Sequence, residues 1–177
     1  ASTAPLPTPF TAPSPKRILL PTTEKSIDAE ARASSLSSIT VRNTAGTTSV
    51  FDLNGFDQSI VNLTLGGTGG VAGSINNVST GAGTLTLGGN LTTTITGNPT
   101  NTWTISGNLA LPAGTHTFNI GDSTGITGTT PELAITAIVS GAGDINKVTS
   151  AGLLQLSGAN TFTGRTSISA GTLSASS

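Results

Sequence analysis

Short runs in which apolar and polar residues alternate recur along most of the chain, and most of them close on glycine. Leu154 and Leu156 alternate with Gln155 and Ser157 ahead of Gly158, and Ile168 stands between Ser167 and Ser169 ahead of Gly171. The same habit occupies residues 61–66, 85–88, 103–107, 118–121 and 135–138. Alternation at period two bounded by glycine predicts short strands joined by tight turns. Aligned on their final apolar residues, Leu65, Leu87, Ile105, Ile120, Ile138 and Leu156, the runs are separated by 22, 18, 15, 18 and 18 positions. A recurrence of that size predicts one coil of a β-solenoid per 15 to 22 residues, with two or three strands in each coil. Inward Leu, Ile and Val would stack from coil to coil, and outward Thr suits a strand without adding much apolar surface. An antiparallel β-sandwich is the competing architecture, because regular strand–turn spacing suits it as well.

One stretch repeats the unit most densely. Gly141, Gly143, Lys147, Gly152, Leu154, Leu156, Gly158, Asn160, Thr161, Phe162, Thr163, Gly164, Thr166, Gly171, Thr172 and Leu173 follow a fixed pattern. It is a Gly-rich lead, a Lys, G-x-L-x-L-x-G-x-N-T-[YF]-T-G-x-T, and a G-T-L close. In this it resembles the autotransporter-associated β-strand repeat, or passenger-associated repeat, of bacterial surface proteins. A weaker echo runs through residues 51–89. The resemblance implies an all-β, right-handed parallel β-solenoid (β-helix), secreted to the extracellular space or cell surface of a Gram-negative-type bacterium. It brings no catalytic residues and no cofactor.

Before the repeats, the character of the chain changes twice. Residues 1–21 hold six of the nine prolines, which predicts an extended arm, since proline lacks a donor and fixes φ. Leu6, Phe10, Ile18, Leu19 and Leu20 are more apolar than a spacer needs, and they are candidates for contact with a neighbouring subunit. Residues 22–42 are a charged linker or a short capping helix, with Thr22 or Thr23 as N-cap and Arg32 towards its C-terminal end. Residues 43–177 form the solenoid domain. From Asn43 to Asn146 there is no Lys or Arg, which disfavours nucleic acid as a partner because phosphate contacts need clustered cations.

Composition narrows the rest. Charged residues make up 8% and aromatics 3% of the chain, whereas Thr occurs 33 times, so the core must be thin and layered. Cysteine is absent, which removes disulfides and thiolate metal sites. No apolar run is long enough for a membrane-spanning helix. A start at Ala1 without Met suggests that an export signal has been cut away.

Several motifs carry chemistry on paper, and each has a blander reading. Residues 67–72 satisfy G-x-G-x-x-[GA], yet no helix pattern follows, which favours a Gly-rich corner over a nucleotide site. Residues 121–125 match G-x-S-x-G, but the sole histidine, His116, lies upstream, against the hydrolase order. Asp52, Asp57 and Asp122 would matter for a polysaccharide-cleaving solenoid only if they converged. Calcium coils would need an Asp in every repeat, and only Asp144 follows such a Gly pattern. The N-x-[ST] sequences at Asn62, Asn77 and Asn90 are expected by chance in a chain rich in Asn and Thr, and Trp103 suits core packing better than sugar stacking.

Two functions remain open. One is a non-enzymatic structural subunit that stacks head to tail with itself into a filament, through Ile168, Thr172 and Leu173 at the last strands and the N-terminal arm. The other is a passenger or adhesin fragment, a rigid stalk presenting loops such as residues 123–132 to a surface polysaccharide or host surface.

Overall fold

A computed structural model of the chain describes residues 36–42, 48–66, 75–94, 102–123, 125–126, 128–148 and 150–176. The arm at 1–21 and residues 22–35 of the stretch 22–42 considered as a charged linker or short capping helix lie outside them. Eleven strands follow one another: β1 (Leu36–Val41), β2 (Thr48–Asp52), β3 (Gln58–Gly66), β4 (Ile75–Leu87), β5 (Leu91–Thr94), β6 (Trp103–Ile120), β7 (Leu133–Ile135), β8 (Ile138–Lys147), β9 (Leu153–Leu156), β10 (Thr166–Ile168) and β11 (Thr172–Ala175). Every pairing among them is parallel. This excludes the antiparallel sandwich and gives the stacked coils of a β-solenoid. The first rung begins at Leu36, inside the stretch whose sequence suits a linker or capping helix, because β1 pairs with β3.

Three strand positions make up a coil. The first face stacks β2, the start of β4, the start of β6, β7, β9 and β11. Its inward column reads Phe51, Val78, Ile105, Ile135, Leu156 and Ala175. On the second face Gln58, Leu85, Leu109 and Val139 are in register. The third carries Ile39, Leu63, Leu91, Phe118, Lys147 and Ile168. Most of the middle members of these columns are fully buried, among them Leu63, Leu85, Leu91, Ile105, Leu109 and Phe118. Full burial of one such side chain is worth about 1.5–3 kcal/mol.

Coil length differs from the sequence expectation. Down the first column, successive residues lie 27, 27, 30, 21 and 19 positions apart. The six run-ends aligned in sequence belong to different faces. Leu65 and Ile120 share the third face, with Thr93 between them. Ile105 and Leu156 share the first, with Ile135 between. Leu87 sits beside Ile60 on the second, and Ile138 points outward, 41% exposed. All three strands of a coil are short, apolar inside and closed by small residues, so neighbouring faces look alike in sequence.

At the corners the ladder is interrupted and side chains take over. The β4–β6 pairing shifts register between Ser79 and Thr84, and Gly107 turns the β6 corner there with φ +96. A Cβ at Gly107 would run into the Thr80 hydroxyl oxygen, which accepts the Asn108 N–H at 2.8 Å. Asn62 accepts the Asn90 N–H at 2.8 Å, Asn90 the Thr117 N–H at 2.9 Å and Asn77 the Thr104 N–H at 3.0 Å. Each of the three N-x-[ST] asparagines therefore links its own coil to the one that follows.

Leu109 lies mid-column with coils on both sides, so Leu109→Ala leaves a cavity that the flanking rungs cannot collapse into. The expected loss is about 2–5 kcal/mol of unfolding free energy. Denaturant titration followed by emission of the buried, sole tryptophan Trp103 measures it; a loss below about 0.5 kcal/mol would contradict a continuous core.

Candidate interaction surface on the last coil

Residues of the dense repeat are the contacts of one coil with its predecessor. Leu154 and Leu156 stack on Leu133 and Ile135. Val139 is the hub of the next corner: its N–H donates to the Asn160 side-chain oxygen at 3.0 Å, and its carbonyl accepts the Thr161 and Phe162 N–H groups at 2.8 and 3.1 Å. The Thr163 N–H donates to Gly141, and the Arg165 N–H to the Asp144 carboxylate at 2.6 Å. At Gly164 the backbone passes so close to the Gly143 carbonyl that no side chain fits. Phe162 and Leu173 pack half-buried against the core.

Lys147 is fully buried and points inward, in the column between Phe118 and Ile168. Its Nζ donates to the carbonyl of Ser150 at 3.1 Å in its own coil and to that of Ala170 at 3.0 Å in the next. The lysine thus ties the last two coils together at one corner. Loss of water around the ammonium lowers its pKa from the ordinary 10.5, and the nearby Glu132 carboxylate opposes that fall. Glu132 is itself buried and accepts the N–H groups of Ser123 at 3.3 Å and Leu153 at 2.6 Å. In sequence, Lys147 is a pattern residue and residues 123–132 are a candidate presented loop. Both ends of that loop are buried, and among its described residues Gly125, Gly128, Thr129 and Thr130 stand exposed. A charged residue between apolar strands ordinarily signals surface, so only its place inside the repeat pattern could have marked Lys147.

Among the described residues, β10 pairs only with β8 and β11 only with β9. Ser169 and Ser176 donate their N–H groups back to Lys147 and Leu156. Strand backbones alternate, so Ile168, Leu173 and Ala175 turn theirs away from the preceding coil, presenting donors and acceptors to a further strand. Ile168, which would cap an otherwise buried column, is 51% exposed. At the other end Val41, Phe51 and Leu53 are no more than 7% exposed, so the two ends differ. The structure brings together Ile168, Thr172 and Leu173 on this last coil; Leu6, Phe10, Ile18, Leu19 and Leu20 lie outside the described residues.

The motifs with chemistry on paper have backbone partners. Ser123 is buried with its N–H on Glu132, and each ring nitrogen of His116 meets a main-chain carbonyl. Asp52 accepts the Asn54 N–H and Asp57 the Thr84 N–H, both at 2.9 Å. Among the described residues no three His, Cys, Asp or Glu cluster as metal ligands. Trp103 is a core residue, and residues 67–72 lie outside the described part.

A parallel β-solenoid whose buried polar side chains hold backbone corners is a repeat scaffold. Within it, residues 148–175 match the passenger-associated-transport-repeat family model, so the last coil carries the repeat that the sequence pattern suggested. The repeat points to a passenger-type protein of the autotransporter kind, which implies a secreted or surface protein of Gram-negative bacteria. No curated protein and no solved structure matches the chain.

Lys147→Met leaves the carbonyls of Ser150 and Ala170 without their donor, and about 1–3 kcal/mol should be lost. Amide exchange localises the effect: residues 166–176 should lose protection before residues 103–120 do. In the wild type the folded lysine gives up its proton below 10.5 while the unfolded chain still holds it, so stability should rise as pH approaches 10.5 from below. With no Cys or Tyr in the chain, few other groups titrate there, and Lys147→Met should flatten the rise.

Proposed function

We propose that this chain is a non-enzymatic structural element of an exported passenger-type protein, and that the edge of its last coil is completed by a second copy. Repetition of the contact would stack subunits end to end into an extracellular filament. The supporting observation is the half-exposed Ile168 on a column whose other central members are buried, beside the Leu173 and Ala175 backbones, whose outer edge pairs with no other strand among the described residues. Burial of that side chain and pairing of those backbones both favour a further parallel rung. The burial of Val41, Phe51 and Leu53 in the first coil favours a joint that includes more than bare coil-on-coil contact. The proline-rich arm is the proposed strap, through Leu6, Phe10, Ile18, Leu19 and Leu20.

The match to the passenger-associated repeat favours a second reading, in which the solenoid is the stalk of a passenger or adhesin and residues 128–130 belong to the surface it offers to a host or polysaccharide ligand. Electron microscopy with sedimentation velocity separates the two. Unbranched filaments that lengthen with concentration are expected for the first; discrete monomers at high concentration would rule it out. Ile168→Lys should abolish assembly while leaving Trp103 emission unchanged, and removal of residues 1–15 should shorten filaments if the arm straps the joint.

A further inference from the structure

His116 is 2% exposed and sits on β6 just past the second register shift, between Leu111 and Gly114. Its Nδ1 lies 2.8 Å from the carbonyl oxygen of Gly89, in the turn of the preceding coil. Its Nε2 lies 2.8 Å from the carbonyl oxygen of Pro112, in the exposed bulge of its own strand. A carbonyl oxygen only accepts, and a neutral imidazole has one N–H and one lone pair. Whichever tautomer is drawn, the neutral ring sets a lone pair against one of the two oxygens.

We infer that His116 is an acid-set clasp: in this conformation it is the imidazolium, donating to Gly89 and Pro112 at once and binding the 112–114 bulge to the preceding coil. Loss of the proton releases one carbonyl, and the bulge loosens. The charged neighbours are few. On β8, Gly143 presses against the ring and Ile145 lies in register with His116; Asp144 is the adjacent acid, and its carboxylate accepts the Arg165 N–H. Lys147 lies two positions beyond Ile145, with its ammonium on the Ser150 and Ala170 carbonyls. In the preceding coil the ring meets the uncharged Gly89 corner. Both ring nitrogens are taken up by main-chain carbonyls, which hold the charge, and the clasp responds to solution acidity rather than to a partner acid.

Because the chain holds one histidine, nitrogen NMR of the imidazole reads this group alone in the full-length protein. Folded protein at pH 6 should give two protonated ring nitrogens, each with a slowly exchanging N–H. A ring with one protonated nitrogen throughout pH 5–8 would overturn the inference. Amide exchange at Ala113 and Gly114 should quicken over the same range. His116→Gln, whose amide does not titrate, should remove that pH dependence; if the variant does not fold, the wild-type NMR still decides. An unchanged pH dependence in a folded variant would also refute it.

Discussion

One constraint governs this molecule: every rung lies parallel on the one before it, and its backbone must find partners across a gap of about 4.8 Å. Parallel stacking places like positions over like, so an inward column has to be apolar along its whole length or be interrupted by a residue with partners of its own. Phe51, Val78, Ile105, Ile135 and Leu156 satisfy the first condition. Lys147, between Phe118 and Ile168, satisfies the second. Changes of coil length are absorbed at the corners and not in the strands. That is how a step of 30 residues can be followed by steps of 21 and 19 with the columns intact.

The buried polar residues follow from the same rule. Where a corner breaks the strand ladder, an N–H or carbonyl loses its neighbour, and in a thin core no bulk water reaches it. The Thr80 hydroxyl oxygen takes up the Asn108 N–H, the Thr93 hydroxyl oxygen the Gly121 N–H, and the Glu132 carboxylate those of Ser123 and Leu153. Orphaned carbonyls receive Lys147 and His116. Such side chains resemble site residues when read one at a time, since burial, charge and hydroxyls are also how active centres are recognised. In this scaffold they substitute for ladder bonds.

Strand character and fold class were legible because alternation at period two is a local property. Leu154 and Leu156, with Gly158 after them, announce a strand and its turn whatever lies elsewhere. Register was not legible, since it depends on which rung a strand meets. Leu65 and Leu87 look equivalent in sequence, yet they lie on different faces, with Leu65 beside Thr93 and Leu87 beside Ile60. The last coil was the exception, because its pattern specifies corner residues as well as strands. Asn160, Gly164 and Gly171 fix where that coil turns. Of the proposed contact residues, Ile168 and Leu173 could be placed by alternation alone, but their exposure depends on whether another rung lies over them.

The family model reaches only the last coil, although the earlier coils share its architecture, and coil length accounts for the difference. From Leu156 to Ala175 a coil takes 19 residues, so there is no slack at its corners: one turn must contain a glycine against Gly143 and another an asparagine on Val139. Sequence is tightly specified there. In the coils that take 27 to 30 residues, corner residues such as Gly107 and Asn90 are also held by their contacts, but longer corners leave the spacing between them free, and the inward column is what recurs from coil to coil. Phe51, Leu85 and Leu91 satisfy that requirement without spelling a motif. A signature that fades towards the N-terminus is therefore compatible with one continuous solenoid, because short coils fix the spacing of their corner residues more tightly than long coils do.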